Sequence, residues 1–248
     1  MDQEARCAMH ELENLLAMRF IERRDVKAWQ QPDGAYYPDE TPITRADLRS
    51  HLSGERSMGH YVVDKETGKA RILCYDFDLA KSAVIAGTDV KPREIWADTT
   101  HPLRGELVKQ LANLAHGMAR FVHRMLDVPV AVSYSGSKGF HLYAFVGSEP
   151  AGEIRTVGLG LLEQLGCFVS VDGRANTYRH VDEYQAVEFE VFPKHDDLKG
   201  KRLGYLLRLP LGINRKGGAS SFIRFDASDP TKISKADAVA TLTGELPW

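Results

Sequence analysis

Residues 133–146 read SYSGSKGFHLYAFV. Both flanks are apolar enough for β-strands, yet the middle holds Ser135, Gly136, Ser137, Lys138 and Gly139, with His141 close behind. A hairpin needs a turn, but it does not need two hydroxyls, a cation and an imidazole beside it. Glycines at 136 and 139 let backbone N–H groups approach a ligand closely. Successive N–H groups in such a turn form a nest for an anion. Ser135 and Ser137 add hydroxyl donors, Lys138 a positive charge and His141 a ring N–H. Taken alone, the stretch also fits a glycine-rich hairpin with a core histidine. What decides is whether the rest of the chain supplies a partner for a polyphosphate.

Residues 75–80, YDFDLA, supply one half of it. Side chains alternate along a strand, so Asp76 and Asp78 share a face about 7 Å apart, while Tyr75, Phe77 and Leu79 face apolar packing. Two carboxylates in so apolar a strand are costly to bury unpaired. A divalent cation resolves the cost, and ligation by oxygen alone suits Mg²⁺ or Mn²⁺. A strand end open to water would also tolerate them. Residues 187–192, VEFEVF, repeat the arrangement with Glu188 and Glu190 on one face. If the two strands are neighbours, three or four carboxylates converge, as in sites that hold two ions for phosphoryl transfer.

The rest of the chain sets the frame. Its 248 residues are 43% hydrophobic, enough for one large domain or two small ones. With 27% charged residues and a net charge of −2, the chain is no basic nucleic-acid coat, and a polyanion site has to be local. Cys7, Cys74 and Cys167 form no C-x-x-C pair, which argues against a cysteine zinc site or a disulfide framework and fits a reducing, cytoplasmic location. The acidic start is no signal peptide, and no apolar run is long enough to span a bilayer.

Helical spacing marks residues 3–24 and 101–128, the second with Leu107, Leu111, Leu114, Met118, Phe121, Met125 and Leu126 on its apolar face. A capping box at Thr44–Asp47 opens a short helix, residues 152–165 form another up to Gly166, and Ser234–Asp237 caps a last one. Residues 60–79 read as a hairpin turning at Glu66–Gly68, and residues 202–211 as a strand; residues 81–99 stay ambiguous. Strands and helices mix without strict alternation. The expected fold is therefore α+β with a mixed sheet, not a doubly wound parallel one. Between Lys194 and Arg224, eight Lys or Arg face two Asp, a local charge of +6. That segment is a candidate path for template or triphosphate, with Asn214, Arg215 and Lys216 in its glycine-rich loop.

The order YDFDLA, SYSGSKGFHLYAF, EFEVFPK resembles the archaeo-eukaryotic primase superfamily, which carries a D-x-D motif, an S-G-x-[KR]-G-x-H motif and a later acidic residue. EVFPK followed by LLRLPLGINRKGG is closer to the primase-polymerases of mobile elements and conflict systems, CRISPR-associated ones included, as are GAYYP and HLSGERSMGHYVV before it. The likeness covers roughly residues 20–225. It implies an α/β N-terminal module packed on an RRM-like module with the active site between them. Residues 1–248 would form a single catalytic domain, with a helical lead-in over 1–60, a core over 61–225 and a helical tail over 226–248. The resemblance further implies that Asp76, Asp78 and Glu190 bind two Mg²⁺ or Mn²⁺ ions, with Glu188 the competitor for the third place. Ser135, Gly136, Ser137, Lys138, Gly139 and His141 would hold the triphosphate, joined by Asn214, Arg215 and Lys216.

The implied activity is templated nucleotide addition on single-stranded DNA, with Arg215 or Lys216 gripping a 5′ nucleotide at initiation. The alternatives are an end-joining polymerase that only extends primers, a metal-dependent nuclease, and a non-catalytic origin-binding module. No G-x-x-x-x-G-K-[ST] motif is present, so unwinding falls to a separate helicase or another replication or defence protein.

Overall fold

The structure, a computed structural model, describes residues 3–81 and 89–248; part of the ambiguous stretch, residues 82–88, lies outside them. The chain runs α1 (Gln3–Phe20), β1 (Lys27–Gln30), β2 (Tyr36–Asp39), α2 (Arg45–Leu52), β3 (Met58–Tyr61), β4 (Lys69–Leu79), α3 (Pro92–Ala97), α4 (Arg104–Leu126), β5 (Val130–Tyr134), β6 (Phe140–Pro150), α5 (Ala151–Leu165), β7 (Phe168–Ser170), β8 (Thr177–His180), β9 (Val187–Phe192), β10 (Leu206–Arg208), β11 (Ser221–Phe225), β12 (Ile233–Lys235) and α6 (Ala238–Thr243). Eight strands form one sheet in the order β12-β11-β5-β6-β4-β9-β8-β7, and four form a smaller one, β10-β3-β1-β2.

The α+β class is as expected, but the sheets are not mixed. Every strand pairing among the described residues is antiparallel. Tight turns can only join antiparallel neighbours, and the β5–β6 hairpin around residues 135–139 is such a case.

The hairpin expected over residues 60–79 does not form. Its turn exists, with the Asp64 N–H donating to the Lys69 carbonyl at 2.9 Å. The strands then part: β3 joins the small sheet and β4 becomes the middle of the large one. The strand expected over 202–211 is only three residues long, and β10 crosses into the small sheet to pair with β3. The small sheet is thus built from both ends of the chain and crosses the expected boundary at residue 60.

The helix expected to run to residue 24 ends at Phe20. Ser234 lies in β12, so the last helix is capped three residues later, by Asp237 accepting from the Ala240 N–H at 2.8 Å. The Thr44–Asp47 capping box forms as read. On α4, Met125 is 45% exposed instead of facing the core.

Alternation on β4 divides the large sheet into two working faces. Leu73, Tyr75 and Phe77 pack toward α5, where the Tyr75 hydroxyl donates to the Gly158 carbonyl at 2.9 Å. A Cβ at Gly158 would sit 2.5 Å from Leu73 Cδ1, so this glycine lets the helix lie close to the sheet. Asp76 and Asp78 point to the opposite face. There Phe20 of α1 wedges between the sheets, edge-on to Tyr143 (4.8 Å between centroids), Phe145 (5.3 Å) and His60 (6.2 Å). The small sheet covers this face only in part, and the gap is a cleft.

Two buried histidines, His51 and His60, lie at the small sheet. His51 accepts from the Met58 N–H at 3.0 Å through Nδ1 and donates from Nε2 to the Pro210 carbonyl at 2.9 Å, tying the 210–218 loop to α2 and β3. Burial pulls both His51 and His60 down to about 4. The unfolded chain would protonate both near the ordinary value of 6.5, so it binds more protons than the folded chain between about pH 4 and 6.5. Stability from this source is full above that window and falls as pH drops through it. Thermal melts should show a lower Tm at pH 5 than at pH 7.5, and His60→Phe should flatten the dependence. An unchanged Tm across this range would contradict the buried, uncharged imidazoles.

Candidate active site

Strand register builds the site. Asp76 lies opposite Glu190 and Asp78 opposite Glu188 across β4 and β9, while Asp76 lies opposite His141 across β4 and β6. Row by row, Ser133, His141, Asp76, Glu190 and Thr177 line up across five strands. Directly opposed side chains sit about 5 Å apart, where like charges are destabilising.

Each of the four carboxylates meets a basic group. His141 Nε2 lies 3.1 Å from Asp76 Oδ1, Lys138 Nζ 2.8 Å from Asp78 Oδ2, and Lys194 Nζ 2.7 Å from Glu190 Oε2. Arg174 pairs with Glu188. Burial pushes the Asp76 carboxyl up, but His141, Arg208 and Lys194 together outweigh it and hold it below the usual carboxylate range.

The hairpin loop is as compact as its glycines allow. The Ser135 N–H donates to the Gly139 carbonyl at 2.9 Å, and the Gly139 N–H returns to Ser135 Oγ at 3.2 Å. Gly136 has φ +74, and a Cβ at Gly139 would lie 2.1 Å from the Phe77 carbonyl. The loop therefore rests directly on the strand that carries the aspartates.

The loop at 214–218 rests on the first in turn. Asn214 is buried; its Nδ2 donates to the Ser135 carbonyl at 3.2 Å, and its Oδ1 accepts from Gln30 Nε2 at 3.1 Å. A Cβ at Gly217 would lie 1.9 Å from the Gly136 carbonyl. Asn214 is thus a latch between two loops, and Lys216 reaches the cleft across Gly34. Arg215, grouped with them on sequence, turns away to donate to the Glu55 carbonyl.

The cleft has a volume of about 360 Å³ and is lined by Asp76, Asp78, Ser135, Ser137, Lys138, Gly139, His141, Asn214 and Lys216. Gln30, Gly34, Tyr36 and Arg208 complete the wall. A second cavity of about 110 Å³ lies on the other side of the same two aspartates, with Arg174, Thr177, Glu188 and Glu190 around it. Gln30 and Arg174 carry no pattern in the sequence, and Tyr36, within GAYYP, reads there as structural. Lys194 is the last residue of EVFPK, and with Arg208 it belongs to the basic run. That run does not form one surface: Arg202 pairs with Glu40, Arg224 with Glu245 and Lys199 with Asp197.

The donor set suits a hard dication, being carboxylate oxygen throughout. Glu188 Oε1 is buried without a hydrogen-bond partner among the described residues, at the wall of the smaller cavity. As the side chains stand, no three His, Cys, Asp or Glu among the described residues lie close enough to share one ion. Lys138, Lys194, His141 and Arg174 stand against the four carboxylates, where an ion's charge would otherwise act. Among the described residues no helix is long and apolar enough to cross a membrane.

Comparison with known proteins gives three results. No curated protein sequence matches the chain. A solved structure, the polymerase domain from Mycobacterium tuberculosis ligase D in complex with DNA, aligns over 95% of this chain and 86% of its own, at 13% identity and a TM-score of 0.45. The profile of the archaeo-eukaryotic primase domain of the TOTE conflict system matches residues 18–234, which hold every carboxylate and both loops of the cleft. The chain belongs to that archaeo-eukaryotic primase family.

Proposed function

We propose that the chain is a template-directed nucleotidyltransferase that builds and extends nucleic-acid primers from nucleoside triphosphates. The observation that carries this reading is the meeting, on one face of the sheet, of two rows of paired carboxylates with a loop rich in donors for phosphate. A nuclease needs the acids but not the loop, and a binding module has no use for opposed carboxylates.

Asp76, Asp78 and Glu190 would hold two Mg²⁺ or Mn²⁺ ions, which when bound activate the attacking 3′-hydroxyl and neutralise the departing pyrophosphate. Lys138, released from Asp78, turns to the triphosphate, and the backbone N–H groups of 136–138 and the Nε2 side of His141 face it. Lys216 and Arg208 neutralise it from the opposite wall. Gln30 and Asn214 keep the two loops in contact, so the donors are fixed before the ligand arrives. Glu190 is the better third acid because its partner Lys194 can leave along its own flexible stem. Glu188, 3% exposed and paired with Arg174, is the structural member of the pair. Single-stranded DNA is the proposed template, entering over the open end of the cleft.

Incubation with single-stranded DNA, Mg²⁺ or Mn²⁺ and labelled nucleotides, with and without an annealed primer, tests the reading. Products longer than the primer, or arising without one, support it. Extension alone would restrict the activity to a polymerase, and shortened DNA without incorporation would overturn it in favour of a nuclease.

Substitutions should rank in a defined order. Asp76→Asn and Glu190→Gln should each cost at least about 100-fold in incorporation, with little change in Tm, because each removes a charge that stabilises the transition state. Glu188→Gln should cost less activity and more stability, since it strands Arg174. Reversal of the two glutamates in the activity ranking would move the third ligand to Glu188.

Lys138→Ala should weaken triphosphate binding roughly ten- to hundredfold, the loss of one charge-assisted hydrogen bond. Single-stranded DNA affinity should stay within about twofold. Equal losses for both ligands, measured by separate titrations, would take Lys138 out of the triphosphate cradle.

A further inference from the structure

His141 is held at both ring nitrogens. On the cleft side, Nε2 meets Asp76 at 3.1 Å. On the core side, Nδ1 lies 2.8 Å from the hydroxyl of Tyr143, two residues along β6 and on the same face. Tyr143 has no exposed surface, and neither does Ser133, whose hydroxyl lies 3.5 Å from the Tyr143 oxygen and can donate to it. The three side chains therefore run as a line from the core to the cleft: Ser133, Tyr143, His141. Phe20 closes the core end, edge-on to the Tyr143 ring.

We propose that Tyr143 is a positioning residue that sets which nitrogen of His141 carries its proton, presenting Nε2–H to the cleft. This deepens the reading of the cleft as a triphosphate site and rests on it. The reasoning is one of donors and acceptors. A neutral imidazole has one N–H and one lone pair, and the hydrogen bond at one nitrogen decides the character of the other. The phenol has a single proton. With Ser133 donating into its oxygen, that proton is free to go to Nδ1. Nδ1 then accepts, and the ring proton sits on Nε2, where it can donate to Asp76 in the free chain and to a phosphate oxygen in the loaded one. The opposite arrangement would turn an Nε2 lone pair toward Asp76 and, later, toward a phosphate, both repulsive.

A tyrosine is an expensive way to fill this position if packing were its only task. Its hydroxyl is fully enclosed and burial holds the phenol well above its ordinary range, so the O–H persists as a donor. Phenylalanine would pack as well without a polar atom to satisfy. Among the described residues, the hydroxyl's hydrogen-bond partners are Ser133 and His141.

The test uses the full chain with ¹⁵N-labelled histidine, the His141 signals assigned by their loss in His141→Ala. At a pH of about 8, above the ordinary histidine range, wild-type His141 should show an unprotonated Nδ1 and a protonated Nε2. Tyr143→Phe should redistribute the proton between them and raise the Kd for a nucleoside triphosphate about tenfold, with single-stranded DNA affinity unchanged. A protonated Nδ1 in the wild type overturns the proposal, and so do unchanged ring signals in Tyr143→Phe. Should that variant fail to fold, the wild-type signals decide alone. A chain that shows the expected signals and their shift, yet binds no triphosphate, supports the role of Tyr143 and overturns the functional reading of the cleft instead.

Discussion

Asp76 faces Glu190 and Asp78 faces Glu188 across one hydrogen-bonded strand pair. Antiparallel pairing fixes these partners, because a one-residue slip of either strand would send its two carboxylates toward the apolar layer and bring its aromatic residues, Tyr75 and Phe77 on β4 or Phe189 on β9, to the cleft. Four like charges in this arrangement oppose folding unless positive groups are supplied. The surroundings are organised to supply them. Lys138 comes from the hairpin loop, Lys194 from the residues after β9, Arg174 from the turn before β8 and His141 from the neighbouring strand. In the proposed function, Lys138 and His141 serve twice, as partners of the carboxylates and as donors to phosphate.

The second organising feature is backbone contact between loops. The 135–139 and 214–218 loops approach so closely that no side chain fits at Gly217, and Asn214 and Gln30 bind them together. Gln30 belongs to the small sheet, and His51 ties that sheet to the start of the second loop. The small sheet therefore does more than roof the cleft. It holds the donor loops at a set height above the aspartates, which is how a fold turns scattered glycines into a rigid cradle.

Much of this was legible in the sequence, and for identifiable reasons. Period-two alternation put the two acidic pairs on strand faces, and glycine spacing marked the donor loop. Alternation says nothing about which strands are neighbours, so the pairing of β4 with β9 was only a condition to be met. The turn at residues 64–69 looked like a hairpin because local turn chemistry is the same whether the flanking strands pair or part. Ile72 and Leu73 bury equally well in either sheet, so only tertiary packing separates the cases. Arg215 was placed in the cradle by adjacency to Asn214 and Lys216, but consecutive residues in a loop point different ways. Tyr36 and Gln30 come to the site from the small sheet, more than 100 residues away in sequence from the second loop; Tyr36 reads as structural in the sequence, and Gln30 gives no signal.

The central claim is that the row Asp76–Glu190 and the loop 135–139 form one site for ions and triphosphate together. A crystal structure of the chain grown with Mn²⁺ and a non-hydrolysable nucleoside triphosphate tests it most directly, with anomalous scattering to locate the ions. The account predicts manganese between Asp76, Asp78 and Glu190, with Lys138 turned from Asp78 to the phosphates and Lys194 moved off Glu190. Manganese bound elsewhere, or a triphosphate that leaves the Lys138–Asp78 and Lys194–Glu190 pairs intact, would contradict it.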